Sequence, residues 1–230
     1  FNRGAGQGNP ENGFIPASYG TDTIRNFEIG WKTRMLGGNL QLNGAAFFVQ
    51  WKDMQVPVFD QDIFFLTFID NAADAELWGI EGDITWLATE NLQISAAFSF
   101  LDTKLTDTPP GIISLAPEGS ELALAPPFQG NLRAKYYFMV GNGWEAHVQG
   151  GIRYAARSFS SIVAEERFRQ DDYFLIDGSI GIQKDRWKAE IFFENLTDER
   201  PDLFINTQDN TRRTTTSRPR TIGLRVSFDY

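Results

Sequence analysis

The sequence predicts an all-β chain, an antiparallel meander of about nine strands, and three observations carry that prediction. Apolar and polar residues alternate with period two in about nine successive segments. Short turns alternate with long connections along the chain. The last segment sorts most cleanly: Ile222, Leu224, Val226, Phe228 and Tyr230 share one parity, and Thr221, Gly223, Arg225, Ser227 and Asp229 the other.

Taken in order, residues 1–22 are rich in Gly, Asn and Pro, have no periodicity, and read as a long loop. Gly4, Gly6 and Gly8 have neither a preceding strand nor a following helix, so a phosphate-binding loop lacks its context. From Thr23 the alternation starts. Phe27, Ile29 and Trp31 form one face of a first strand, which ends in a tight turn at Leu36-Gly37-Gly38-Asn39. Leu40, Leu42, Gly44, Ala46 and Phe48 return, with Phe47 and Val49 blurring the parity, and Val56 to Asp70 reads as a long connection. Trp78, Ile80, Gly82, Ile84 and Trp86 lead to a turn at Thr89-Glu90-Asn91; Leu92, Ile94, Ala96, Phe98 and Phe100 follow. After a connection from Thr106 to Ala125, Phe128 to Phe138 and Trp144 to Tyr154 form the clearest hairpin, around Gly141-Asn142-Gly143. A connection from Ser158 to Asp171 precedes Phe174 to Gln183. Lys184-Asp185-Arg186 then turns the chain into Trp187 to Glu194, and Leu196 to Ser217 connects to the last strand.

Composition narrows the surroundings of these strands. No apolar run approaches the ~20 residues of a spanning helix. The 230 residues contain no Cys, which excludes disulfides and thiolate sites, and one His, which excludes a histidine-rich metal site. A net charge of −9 argues against nucleic-acid binding. No signal peptide is visible at Phe1, so the sequence reads as a mature chain or a fragment.

Two magnitudes favour a membrane over a soluble core. Trp144 and Tyr154 bracket one strand; at ~3.3 Å per residue and a tilt near 40° they stand roughly 25 Å apart along the axis, the height of the apolar band of an outer-membrane barrel. A lipid-facing Arg or Lys near the midplane costs about 2 to 4 kcal/mol, and Arg133, Lys135, Arg153, Lys188 and Arg225 all fall on the opposite parity. They are expected to face the lumen together with His147. Long connections at one end and short turns at the other match extracellular loops and periplasmic turns, which makes residues 1–22 an extracellular loop. The aromatic end resembles the C-terminal strand of outer-membrane barrels, where it serves as the assembly signal; Phe228 and Tyr230 occupy those positions.

Four further segments resemble TonB-dependent outer-membrane receptors: Ile24-Arg25-Asn26-Phe27-Glu28-Ile29-Gly30-Trp31-Lys32; Asn71-Ala72-Ala73-Asp74-Ala75-Glu76-Leu77-Trp78-Gly79-Ile80-Glu81-Gly82; Glu194-Asn195-Leu196-Thr197-Asp198-Glu199-Arg200; and Arg218-Pro219-Arg220-Thr221-Ile222-Gly223-Leu224. The resemblance implies a 22-stranded barrel whose C-terminal part is residues 23–230. It implies uptake of a scarce solute such as a ferric siderophore, with TonB acting through an N-terminal plug that has no counterpart in this sequence. Outer-membrane lipid, the plug, the other barrel strands and the barrel-assembly machinery are the implied partners. Two alternatives are a small self-contained barrel acting as an anchor or adhesin and a soluble carbohydrate-binding sandwich.

No catalytic constellation, cofactor site or metal site is evident, so an enzyme is not expected. Glu165-Glu166 and Asp171-Asp172 read as solvated loop carboxylates, and Asn195-Leu196-Thr197 as an idle match to a glycosylation acceptor. Phe59, Phe64, Phe65 and Phe68 are candidate substrate contacts in a long connection.

Overall fold

A computed structural model describes residues 19–60, 66–108, 115–206 and 211–229. In chain order the strands are β1 (Thr23–Met35), β2 (Leu40–Asp60), β3 (Leu66–Leu87), β4 (Leu92–Asp107), β5 (Phe128–Val140) and β6 (Trp144–Ala155). Then come β7 (Ser158–Phe159), β8 (Arg169–Gln170), β9 (Tyr173–Lys184), β10 (Trp187–Glu194), β11 (Phe204–Asn206), β12 (Arg213–Thr215) and β13 (Thr221–Phe228). Nine of them form one antiparallel sheet in the order β1-β2-β3-β4-β5-β6-β9-β10-β13, while β7-β8 and β11-β12 are small separate hairpins. No helix among the described residues is long and apolar enough to cross a membrane, which says nothing about crossing by strands.

Register makes the two faces explicit, because directly paired residues share a face. One row crosses all nine strands: Met35, Leu40, Trp86, Ile94, Ala134, Gly150, Gly178, Phe193 and Ile222. Every member is apolar or glycine. This face is left open: Ile29 is 71% exposed, Ile222 69% and Leu224 68%. The opposite parity carries rows such as Gln41, Thr85, Ser95, Arg133, Gly151 and Asp177.

Short turns at Leu36–Gly38, Ala88–Asn91, Gly141–Gly143 and Asp185–Arg186 all lie at one end. At the Gly141–Gly143 turn, Asn142 and Gly143 both have positive φ (68° and 79°), a conformation these two residue types accept more readily than most.

At the other end the connections are more ordered than the sequence suggests. The stretch from Val56 to Asp70, read as a connection, is mostly strand: β2 continues to Asp60 and β3 begins at Leu66. Likewise β4 runs on to Asp107, and the connections Ser158 to Asp171 and Leu196 to Ser217 each contain a two-stranded hairpin. Parity hides the extension because β2 bulges. Trp51 pairs with Ala75 and Met54 with Ala73, so Lys52 and Asp53 together oppose Asp74. Asp53 has φ 56° there, its N–H bonds Asp74 Oδ1 at 2.8 Å, and Lys52 Nζ meets Asp74 Oδ2 at 2.7 Å. Asn71 Nδ2 donates to the Asp53 carbonyl at 2.6 Å. Asn71 and Asp74, two residues of the second resembling segment, therefore hold the bulge in place.

Candidate functional site: a two-faced wall and its mouth

The apolar face has a defined upper edge. On the same parity as Phe27, Phe48 and Trp78 stands a polar row of Arg25, Gln50, Glu76 and Lys104, with Lys104 Nζ 3.2 Å from Glu76. Just below it Trp78 Nε1 donates to Asp102 at 2.8 Å. Aromatic side chains gather at both margins. Phe100, Phe128 and Tyr154 run in sequence near the top, with ring centroids 4.6 and 5.9 Å apart, and Trp187 meets Phe228 at 4.9 Å at the bottom. An apolar zone bordered by amphipathic rings fits a bilayer slab.

The polar face brings its charges together in pairs. The residues of one row are Tyr137, His147, Gly181, Glu190 and Arg225. Glu190 is the hub: Oε2 lies 3.1 Å from His147 Nε2 and 3.2 Å from Ser179 Oγ, and Oε1 accepts from Arg225 at 2.9 Å. His147 reaches Glu190 only because Gly181 between them has no side chain; a Cβ there would collide with the His147 ring. Phe192 lies over Gly223 in the same way, its ring filling the space a Cβ would take, and the Arg225 guanidinium stands 5.0 Å from the Phe192 ring. Arg153 bonds Asp177 at 3.0 Å, and Lys135 sits 4.7 Å above the Tyr137 ring. Arg133 packs beside Gly151, and Lys188 pairs in register with Ser227 and Gln183.

All six residues singled out in the sequence thus share the polar parity. His147, Glu190 and Arg225 are brought into contact, whereas Arg133, Lys135 and Lys188 are not. Sequence reasoning missed Glu190, Asp177 and Gly181. Counting register outward from the Lys184-Asp185-Arg186 turn would have placed Glu190 beside Gly181; its pairing with Arg225 follows only once β10 and β13 are known neighbours.

At the mouth the described parts of the long connections fold over the polar parity. Met54, Val56, Ala73, Ala75 and Leu105 of β2–β4 pack with Ala116, Leu122 and Ile162 from two connections. Leu122 N–H bonds Thr103 Oγ1 at 2.9 Å, and Leu105 exchanges backbone bonds with Ser120 and Gly119, both at 2.8 Å, satisfying the part of β4 that β5 does not reach. Glu121 locks the connections: its carboxylate takes both Arg157 nitrogens at 2.8 and 2.9 Å, and its carbonyl takes Arg167 Nη2 at 2.8 Å. The Glu121 hydrogen bonds raise the Arg157 pKa, while burial lowers that of Arg167, which lies 3.9 Å over the Phe159 ring. A third connection joins through Gln170 Nε2, which donates to the Asp202 carbonyl at 2.8 Å, and through Arg212, which pairs with the Asp202 carboxylate at 3.1 Å within that connection and stands 5.2 Å from the Phe168 ring.

The last two resembling segments meet at the base of that third connection. Asn195 is 4% exposed; its Nδ2 donates to the carbonyls of Glu199 and Arg218 at 2.9 and 2.8 Å, and its Oδ1 accepts from Glu199 N–H at 2.9 Å. Asp198 Oδ1 accepts the Arg220 N–H at 2.9 Å. Phe228 closes β13 against Trp187. Tyr230, Phe64 and Phe65 lie outside the described residues; Phe59 and Phe68 occupy strand positions opposite Thr67 and Val58.

A wall with one apolar face, girdled margins and a paired polar face agrees with the sequence comparison. The model of the family described as TonB dependent receptor-like, β-barrel matches residues 3–196. The chain belongs to this family. Its members are outer-membrane β-barrel proteins of Gram-negative bacteria, receptors and transporters rather than enzymes, so the face of exposed Ile, Leu and aromatic side chains is the lipid face of an outer-membrane protein. Among solved structures it is similar to the ferric yersiniabactin uptake receptor FyuA from Yersinia pestis (TM-score 0.73, 17% identity, covering 91% of this chain and 30% of that one). It is also similar to the siderophore receptor PiuA from Acinetobacter baumannii (0.71, 20%, 90% and 28%) and to the ferric-catecholate import receptor Fiu from E. coli K12 (0.70, 18%, 98% and 30%). The chain spans about 30% of the length of these receptors.

Proposed function

We propose that these nine strands form part of the wall of a TonB-dependent transporter that takes up a scarce solute such as a ferric siderophore. The observation that carries the reading is the division of the sheet: lipid-compatible on one face across all nine strands, ion-paired and polar on the other. A wall of this kind separates lipid from a polar interior. Among the described residues the two outer strands, β1 and β13, pair on one side each, and unpaired backbone is costly in hydrocarbon, so further strands are expected to complete the barrel. Family membership favours a 22-stranded closure, and the functions of FyuA, PiuA and Fiu support ferric chelates as the solute class. In this reading Arg133, Lys135, His147, Arg153, Lys188 and Arg225 face the lumen, the long connections are extracellular, and Phe59, Phe64, Phe65 and Phe68 contribute to the outer vestibule. TonB and a plug supply the energy coupling, and Phe228 with Tyr230 the signal for barrel assembly.

Uptake of radiolabelled ferric siderophores by iron-starved cells tests the proposal. Deleting the gene should abolish TonB-dependent uptake of at least one ferric chelate, and restoring it should restore uptake. Uptake unchanged across a panel of hydroxamate, catecholate and mixed chelates would overturn the solute class, and uptake indifferent to TonB would overturn the mechanism.

A further inference from the structure

The lipid face of β13 ends in arginines. Ile222, Leu224, Val226 and Phe228 are all exposed on one parity of β13, and Arg220 and Arg218, both exposed, stand in the segment that leads into its first residue, Thr221, at the mouth end. From Phe228 to Arg220 is about 26 Å along the strand, or about 20 Å along the membrane normal at a tilt near 40°. The arginine side chain carries its charge about 5 Å further by snorkelling, to the top of a ~25 Å apolar band.

The backbone under these cations is fixed, and their heads are only lightly held. Arg220 N–H is held by Asp198, and the Arg218 carbonyl by Asn195. The Arg220 guanidinium donates to the Leu196 carbonyl at 3.4 Å and lies close enough to Asp198 to act on its charge. The Arg218 guanidinium has no partner among the described residues. Arg200 stands alongside, 3.1 Å from Asp198. Arg200 and Arg220 therefore share the charge of one carboxylate, Asp198, and Arg218 has no ion pair among the described residues. Unsatisfied planar donors at that depth are matched by phosphate oxygens.

The geometry points to a binding site for a phosphate-bearing lipid headgroup at Arg218 and Arg220, with Arg200 beside them and the acyl chains lying on Ile222, Leu224 and the neighbouring Phe193 and Ile191 of β10. A lipid fits better than a free anion because the cations stand directly above this open apolar bed. The site rests on the barrel reading above, with the long connections on the outer side, where the headgroup would belong to the outer leaflet.

The test uses the complete barrel in phosphatidylcholine nanodiscs with diphosphoryl lipid A as the probe, read by native mass spectrometry. Arg218→Gln with Arg220→Gln should weaken retention about 25-fold, roughly fivefold for each arginine. Lysine at both positions should keep most of it, and dephosphorylated lipid A should bind both forms weakly and equally. Equal retention by the unaltered and glutamine forms would overturn the site, and so would phosphate-independent binding. Displacement by millimolar inorganic phosphate would overturn the lipid assignment in favour of a free anion. If the double variant does not fold, Arg218→Gln alone, whose guanidinium makes no bond among the described residues, carries the fivefold test. Failure of the barrel reading would show separately, as loss of heat-modifiable migration in the unaltered protein.

Discussion

The membrane band and the mouth are built from the same strands and stabilised in opposite ways. In the band the large apolar side chains point outward and stay exposed in the isolated chain, as Leu132 at 48% and Val226 at 57% do. At the mouth the same sheet buries Leu105 to 1% and Met54 to 6% beneath its own connections. The difference is the solvent. Lipid surrounds the first region, so its apolar side chains need no cover. Water surrounds the second, so the hydrophobic effect draws the connections down onto the strands.

That contrast can be broken by substitution. The largest effect is expected at Val226→Arg, which places a charge on the lipid face at about 2 to 4 kcal/mol and should abolish the heat-modifiable folded form, while Ser227→Arg one residue on is tolerated. Equal behaviour of the two would mean that the parity is misassigned. Next, Leu105→Ala should lower stability toward denaturant by about 2 to 5 kcal/mol through a cavity at the mouth. The outward Leu132→Ala, which leaves no cavity, should cost well under half as much. If Leu132→Ala costs as much as Leu105→Ala, the two regions are not differently solvated.

Asn195→Ala removes bonds to Glu199 and Arg218 from a buried position and should cost about 1 to 3 kcal/mol. Limited proteolysis of residues 196–217 would report it, with the β1–β6 strands unaffected. The smallest effect is a pH dependence at the same base. The Arg220 N–H holds the Asp198 pKa below its ordinary value, with Arg200 adding to the shift. A depressed carboxylate stabilises the folded form above its unfolded pKa, about 3.9, and that contribution is lost as pH falls through the lower folded value. Protease resistance of residues 196–217 should therefore hold from neutrality to about pH 4 and decline below it. Asp198→Asn should remove this part of the decline.

The band was legible in the sequence because lipid enforces strict alternation, as at Ile222 to Phe228 and at Trp78 to Trp86. A charge such as Arg225 or Lys188 could be placed on a face by counting alone. The mouth was not legible, because no lipid enforces a pattern there. Above the band a strand such as β2 has water on one side and a connection on the other, and the bulge at Lys52-Asp53 shifts its parity, so its end from Val56 to Asp60 reads as part of a connection. The pairing of Glu190 with both His147 and Arg225 was hidden differently. It depends on three strands and on the gap left at Gly181, and neither is local in sequence. The Asn195 and Arg218 segments were recognisable as motifs, but only the fold shows that they are each other's partners.

The absence of cysteine makes the central claim directly measurable. Single cysteines placed in turn from Ile222 to Phe228 in the complete barrel, labelled with an environment-sensitive fluorophore, can be tested with a lipid-phase and an aqueous quencher. Lipid-phase quenching should be strong at 222, 224, 226 and 228 and weak at 223, 225 and 227, with the aqueous quencher showing the reverse. Quenching without this period of two, or with its phase inverted, would contradict the assignment of one face to lipid and the other to the polar interior.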